Sequence, residues 1–184
     1  MPHCRSAIGN VRPMTDLDPD TAPRFKDLMA SVGFFIFCWG QLELTLNRDI
    51  GRRRRALELR VGGLAAANIK VQQLDAVTLT GRIGAWQRLV RAIERDVNLH
   101  LVSVEIGEEI ANLRFHRNVV AHGLSDGDAG SRSEEGRIVC VERGEKSAPR
   151  SKRIYSKSDL DQLAQSADRC QRGIRSLHNW TAVK

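Results

Sequence analysis

The 184-residue sequence predicts an all-α protein, a four- or five-helix bundle with a small β-hairpin inserted before the last helix. Apolar residues recur in alternating steps of three and four along several long stretches, as bundle helices require. Leu, Ala, Arg, Glu and Gln are plentiful while β-branched runs are few, a balance that favours helix. One short exception, R-I-V-C-V-E-R at 137–143, has strand character and is followed by a second such piece at 153–155.

Residues 1–17, with Pro2, Gly9 and Pro13 and no periodicity, read as a flexible N-terminal arm. The single domain then spans 18–184, a size that suits one core and not two. Asp18-Pro19 supplies a helix start. Phe25, Leu28, Val32, Phe35, Trp39, Leu42 and Leu46 form a seam that predicts a long first helix ending at Gly51 and the run Arg52–Arg55. Gly33 and Gly40 inside that helix weaken it locally and predict close packing there.

A second helix is expected over Leu64–Thr80, broken by Gly81. A third follows through Ile83, Trp86, Val90, Ile93 and Val97. Around Asn98 and His100 two arrangements stay open, separate helices or one bent helix. Val102, Ile106, Ile110, Leu113 and Val120 mark a fourth helical stripe, which stops at Gly123 in a C′ position. After a polar, glycine-rich loop comes the hairpin, about 137–156. Ser158, with Asp161 three residues on, predicts the cap of a closing helix striped by Leu160, Leu163, Ala167, Cys170, Ile174 and Leu177.

The net charge of +7 and a pI near 9.7 suit a partner that is a polyanion, nucleic acid first among them, although the same charge serves solubility alone. Arg52, Arg53, Arg54 and Arg55, with Arg60 nearby, are the candidate RNA-binding cluster; an ordinary solvated turn is the alternative. The four cysteines are scattered, without a C-x-x-C pair or a ligand-spaced histidine, so a disulfide framework and a zinc site are not expected. The first residues lack the apolar stretch of a signal peptide, and the most hydrophobic segment, Val32–Trp39, is shorter than the roughly 20 residues of a membrane span. A cytoplasmic protein with no membrane partner is expected.

The chemistry concentrates in R-F-H-R-N-V-V-A-H-G, Arg114–Gly123. Stepping along the fourth stripe from Leu113 puts Arg117 where an aliphatic residue belongs. A guanidinium in that place needs a carboxylate, a facing subunit or an anion. Asn118 and His122, four apart, share one face at the helix end. Arg117 and His122 are five apart, so only the reach of arginine brings both to one ligand. Histidine titrates near neutrality and moves protons at a ribose oxygen. Arginine holds a phosphate and its developing charge. Such a pair requires no metal and no cofactor.

R-N-V-V-A-H resembles the R-x-x-x-x-H signature of the HEPN superfamily, with a polar residue directly after the arginine. C-W-G-Q-L-E, Cys38–Glu43, resembles the early-helix pattern of small bacterial members, and the order of helices fits over roughly residues 20–180. The resemblance implies a HEPN-like bundle that homodimerises through the motif helix, pairing two half-sites into a metal-independent endoribonuclease. It also implies a toxin or phage-defence role, often under a nucleotidyltransferase-like antitoxin. On that reading Arg117 holds phosphate, His122 is the general acid/base, Asn118 assists, and Glu43 supports the site by pairing with Arg117. The rival reading is a non-catalytic helical module that binds RNA or a protein partner. A helix-turn-helix DNA reader is weaker still, for no recognition helix stands out.

Overall fold

A computed structural model of the chain describes residues 22–60, 63–70, 72, 74–123, 137–141 and 152–182. Helix α1 spans Ala22–Glu58, the four-residue α2 Gly63–Ala66, α3 Leu79–Ile93, α4 Val97–Gly123 and α5 Lys157–Ala182; strands β1 (Arg137–Val141) and β2 (Lys152–Ser156) lie between α4 and α5. Helix makes up 82% of these residues, which places the protein among all-α bundles carrying a two-stranded insertion. The N-terminal arm, the expected helix start at Asp18-Pro19 and the glycine-rich loop lie outside the described residues.

The seam that begins α1 closes the core as expected. Leu28, Phe35, Leu42 and Leu46 are buried with Trp86, Ile110, Leu113, Leu160 and Ile174 from three other helices. Helix α1 packs mainly on α5 and α3, and α4 on α5 and α3, so α1 and α4 stand at diagonal corners of the bundle. The hairpin pairs antiparallel, Ile138 opposite Tyr155 and Cys140 opposite Arg153. Its inward residues Ile138, Cys140 and Tyr155 enter the same core, laying β1 against α4 and β2 against α5. Burial pushes the thiols of Cys140 and Cys170 up to about 11, so both behave as small apolar groups.

Helix α1 does not end at Gly51. It runs on to Glu58 because the arginine run is partly internal. Arg53 is 3% exposed and donates from Nε to Asp49 Oδ2 at 2.7 Å and from Nη1 to Glu94 Oε1 at 2.8 Å. Trp86 Nε1 donates to the same Asp49 oxygen at 2.8 Å. An arginine so held rewards one more helical turn instead of a solvated break.

The expected second helix shrinks to α2. Asn68 adopts the left-handed conformation (φ 54°), its N–H bonds Ala65 O at 3.0 Å, and the N–H of Ile69 bonds Leu64 O at 2.9 Å, closing the short helix. Gly81 starts a helix instead of breaking one. Its N–H donates to the Thr78 hydroxyl, the N-cap of α3, and a Cβ there would sit 2.6 Å from Ala76 Cβ. Residues Glu94–Asp96 separate α3 from α4, which settles the open join as two helices; His100 Nε2 meets Glu94 O at 2.8 Å across it. Val97 accordingly leaves the third seam and is 65% exposed. The cap of α5 falls two residues early: Ser156 N–H donates to Asp159 Oδ2 and Asp159 N–H to Ser156 Oγ, a capping box one register before Ser158/Asp161.

Close helix approach occurs at other glycines than those expected. A Cβ on Gly107 would strike Gln87 and Ile83 of α3, and one on Gly173 would lie 2.7 Å from Ile106 Cδ1. Gly33 and Gly40 meet nothing within 4 Å among the described residues. The length estimate for a membrane span also changes. Among the described residues α1 is the one helix that passes by length and composition, with mean hydropathy 1.4 over its best window and a third of that window buried in the bundle.

The Asp49–Arg53–Glu94 network makes a quantitative prediction. Arg53→Ala leaves two buried carboxylates without their cation and is expected to lower unfolding free energy by about 3–5 kcal/mol in urea titration. A loss within about 0.5 kcal/mol would mean that the network contributes little to holding α1 on α3.

Candidate functional site

Helix α4 carries two faces. Its inner face, Ser103, Gly107, Ile110, Leu113 and Val120, is buried against α3, α5 and the hairpin. Arg117 interrupts that face as the spacing predicts, and it is half-buried. Its Nη1 donates to Asn118 Oδ1 at 3.0 Å. Its Nε is buried and has no hydrogen-bond partner among the described residues. A buried N–H without an acceptor costs about 1–3 kcal/mol, and Arg53 Nη2 and Arg82 Nε are in the same state.

The outer face repeats in steps of four and three: Val97, Leu101, Val104, Glu108, Ala111, Phe115, Asn118, His122. Val97 and Leu101 are more than half exposed, and His122 is exposed in the last turn. Asn118 and His122 thus end a stripe whose exposed apolar part is Val97 and Leu101 at its start, Phe115 being packed on the core. Arg117 lies about 100° round the helix from Asn118 and leans toward it through their hydrogen bond. The structure therefore brings Arg117 and Asn118 into contact and sets His122 one turn beyond Asn118 on its face.

Glu43 does not join them. It sits on the α3 side of α1 and accepts from Arg82 Nη2 at 3.1 Å, while Arg82 Nη1 donates to Asn47. The expected Glu43–Arg117 pair is replaced within the chain by Glu43–Arg82, because α1 and α4 stand diagonally. The arginine cluster also divides. Arg53 is internal and unavailable to RNA, and Arg54 is held by Glu58 and Asp75, both at 2.9 Å. Arg52 and Arg55 are exposed and remain candidates. No group of three or more metal-ligating side chains occurs among the described residues.

A second cluster beside the motif carries no role in the sequence reading. His116 Nδ1 lies 3.0 Å from Tyr155 Oη, the His116 ring stands edge-on to Phe115 and Tyr155, and the Arg153 guanidinium covers the Phe115 ring at 4.5 Å. The available signal was strand alternation: Arg153 and Tyr155, two apart on β2, share the face that meets α4. This cluster fixes the hairpin to the helical turn that holds Arg117.

No family model matches the sequence, and no curated protein or solved structure matches it.

Burial, then the nearby Arg153 charge, holds the His116 pKa below its ordinary 6.5, with Glu109 opposing. Between the folded and unfolded values the unfolded chain binds more protons. The contribution of neutral His116 is therefore full above pH 6.5 and is lost as pH falls through the lower folded value. The urea midpoint should decline from pH 7 to pH 5, and His116→Gln should flatten that decline. Identical slopes in both proteins would show that His116 is not a source of it.

Proposed function

We propose that the chain is a metal-independent endoribonuclease of HEPN type. The observation that supports this most is the buried, acceptor-less Nε of Arg117, held against Asn118 on the turn before His122. A phosphate oxygen is the acceptor that suits a guanidinium whose neighbours are an amide and an imidazole.

One half-site supplies one histidine, and the reaction needs two proton transfers. The outward stripe of α4 supports a homodimer through the motif helix, which would bring a second His122 to the same phosphate. One His122 takes the proton of a ribose 2′-hydroxyl as its oxygen bonds to phosphorus. The partner's His122 gives a proton to the departing 5′-oxygen as its bond to phosphorus breaks. The products are a 2′,3′-cyclic phosphate and a 5′-hydroxyl. Arg117 holds the extra negative charge of the pentacoordinate state, and Asn118 keeps the guanidinium in place. Glu43, paired with Arg82, has no part in these steps.

The resemblance of R-N-V-V-A-H and C-W-G-Q-L-E to HEPN sequences supports a cytoplasmic toxin or phage-defence effector, with a nucleotidyltransferase-like protein as its antitoxin. Exposed Arg52 and Arg55 would extend the RNA contact. The rival, a non-catalytic binding module resting on four consecutive arginines, loses ground because Arg53 is internal and Arg54 is engaged.

Wild type incubated with mixed RNA in excess EDTA should leave cyclic-phosphate ends. His122→Ala should cut about a hundredfold more slowly or worse, and Arg117→Ala comparably, both with unchanged far-UV circular dichroism. Cleavage that survives both substitutions would overturn the assignment. Equal RNA binding without cleavage by any of the three proteins would favour the binding module.

A further inference from the structure

Helix α1 has an outer face as ordered as its inner one. Gly33, Phe37, Gly40 and Leu44 follow one another in steps of four, three and four, on the side of the helix opposite the Leu28–Leu46 seam. Phe37 is 61% and Leu44 40% exposed, while both glycines are exposed with nothing within 4 Å of an added Cβ. Glycine is among the poorest residues for a helix interior. No neighbour among the described residues requires it at 33 or 40, whereas Gly107 and Gly173 answer to neighbouring side chains. Two glycines seven residues apart, alternating with two large apolar residues seven residues apart, make a surface of holes and knobs.

We infer that this face of α1 pairs with the same face of a second copy, antiparallel and about a two-fold axis between Phe37 and Gly40. In that register Phe37 faces the partner's Gly40, and Leu44 faces the partner's Gly33, so every knob meets a hole. A parallel pair would set Phe37 on Phe37 and leave the glycines facing one another across a gap. Charge favours the same choice. Asp27 and Arg48, both exposed, flank the stripe on one side at its two ends. The antiparallel register places each Asp27 beside the partner's Arg48, twice per pair, whereas a parallel one leaves the two on opposite flanks of the interface and forms neither pair. The interface is isologous and therefore closes on two copies. A bilayer is the other apolar surface this helix could meet, but its face is flanked by Asp27 and Arg48 and its reverse side is the core of the bundle.

Two cysteines test the register. In Asp27→Cys/Arg48→Cys, a short bismaleimide should join two chains covalently in high yield. Each single variant should give only the background of wild type, since equal positions stand about 28–35 Å apart along the antiparallel pair. Charge reversal gives an independent reading: Arg48→Asp should weaken self-association in sedimentation, and Asp27→Arg/Arg48→Asp should restore it. Gly40→Leu should weaken it at least about tenfold without lowering the unfolding midpoint of the dilute chain, because the space it fills is empty until a partner arrives. The inference is overturned if the double-cysteine chain joins no better than the singles, or if Gly40→Leu leaves association unchanged. Co-sedimentation of wild type with phosphatidylcholine vesicles, lost in Phe37→Asp, would assign the face to a membrane instead. None of these readouts depends on RNA cleavage, and the cross-link between positions 27 and 48 does not depend on pairing through α4.

Discussion

The buried Asp49–Arg53–Glu94 cluster is the constraint on which the rest of the bundle depends. Three formal charges and the Trp86 indole meet at the crossing of α1 with the end of α3. A buried ion pair is a poor source of net stability, but it is unforgiving about geometry. Asp49 must present one oxygen to both Arg53 and Trp86, and Arg53 must reach Glu94 at the point where α3 gives way to extended backbone. This fixes the length of α1, the depth of Trp86 and the place where the chain turns into α4. Helix α4 then starts with His100 against Glu94 O and keeps the heading that brings Arg117 to the hairpin.

That cluster also explains where the sequence could and could not be read. The seams of α1, α4 and α5 were legible because an aliphatic core must repeat at helical period, and Leu28, Phe35, Ile110, Leu160 and Ile174 do. The hairpin was legible from alternation. The end of α1 was not, since four arginines in a row look solvated until Glu94, distant in sequence, is known to reach one of them. The stretch 64–80 is ambiguous because Gly81 marks both an interruption and a helix's first turn; only the Thr78 cap and the crowding by Ala76 tell the two apart. The capping box moved from Ser158/Asp161 to Ser156/Asp159 because both spacings satisfy the pattern and the end of β2 selects between them.

At the candidate site the same division holds. Local spacing on one helix gave the relation of Asn118 to His122 and the intrusion of Arg117 into the core stripe. Pairings between elements were beyond it. Glu43 meets Arg82 because α1 neighbours α3, a fact of topology that no spacing encodes. His116 gains meaning only when β2 lays Tyr155 and Arg153 on α4. The anchoring matters for chemistry as well as packing. Arg117 can keep a buried donor without an acceptor only if the turn around it is held by other contacts, and the His116–Tyr155 contact with the Arg153–Phe115 stack holds that turn.

The two outward stripes have a joint consequence. Those of α1 and α4 face away from diagonal corners of the bundle, since both helices pack on α3 and α5 and hardly on each other. A copy seated on one stripe therefore leaves the other open. Two different isologous contacts on one chain close into a ring when their axes cross at a closing angle, four subunits at a right angle, and otherwise run on as an open row. In both arrangements the α1 contact would set the spacing between successive composite sites without touching Arg117 or His122. The helix-interior glycines of α1 would then weaken the isolated helix locally in exchange for how many sites one assembly presents to a single RNA strand.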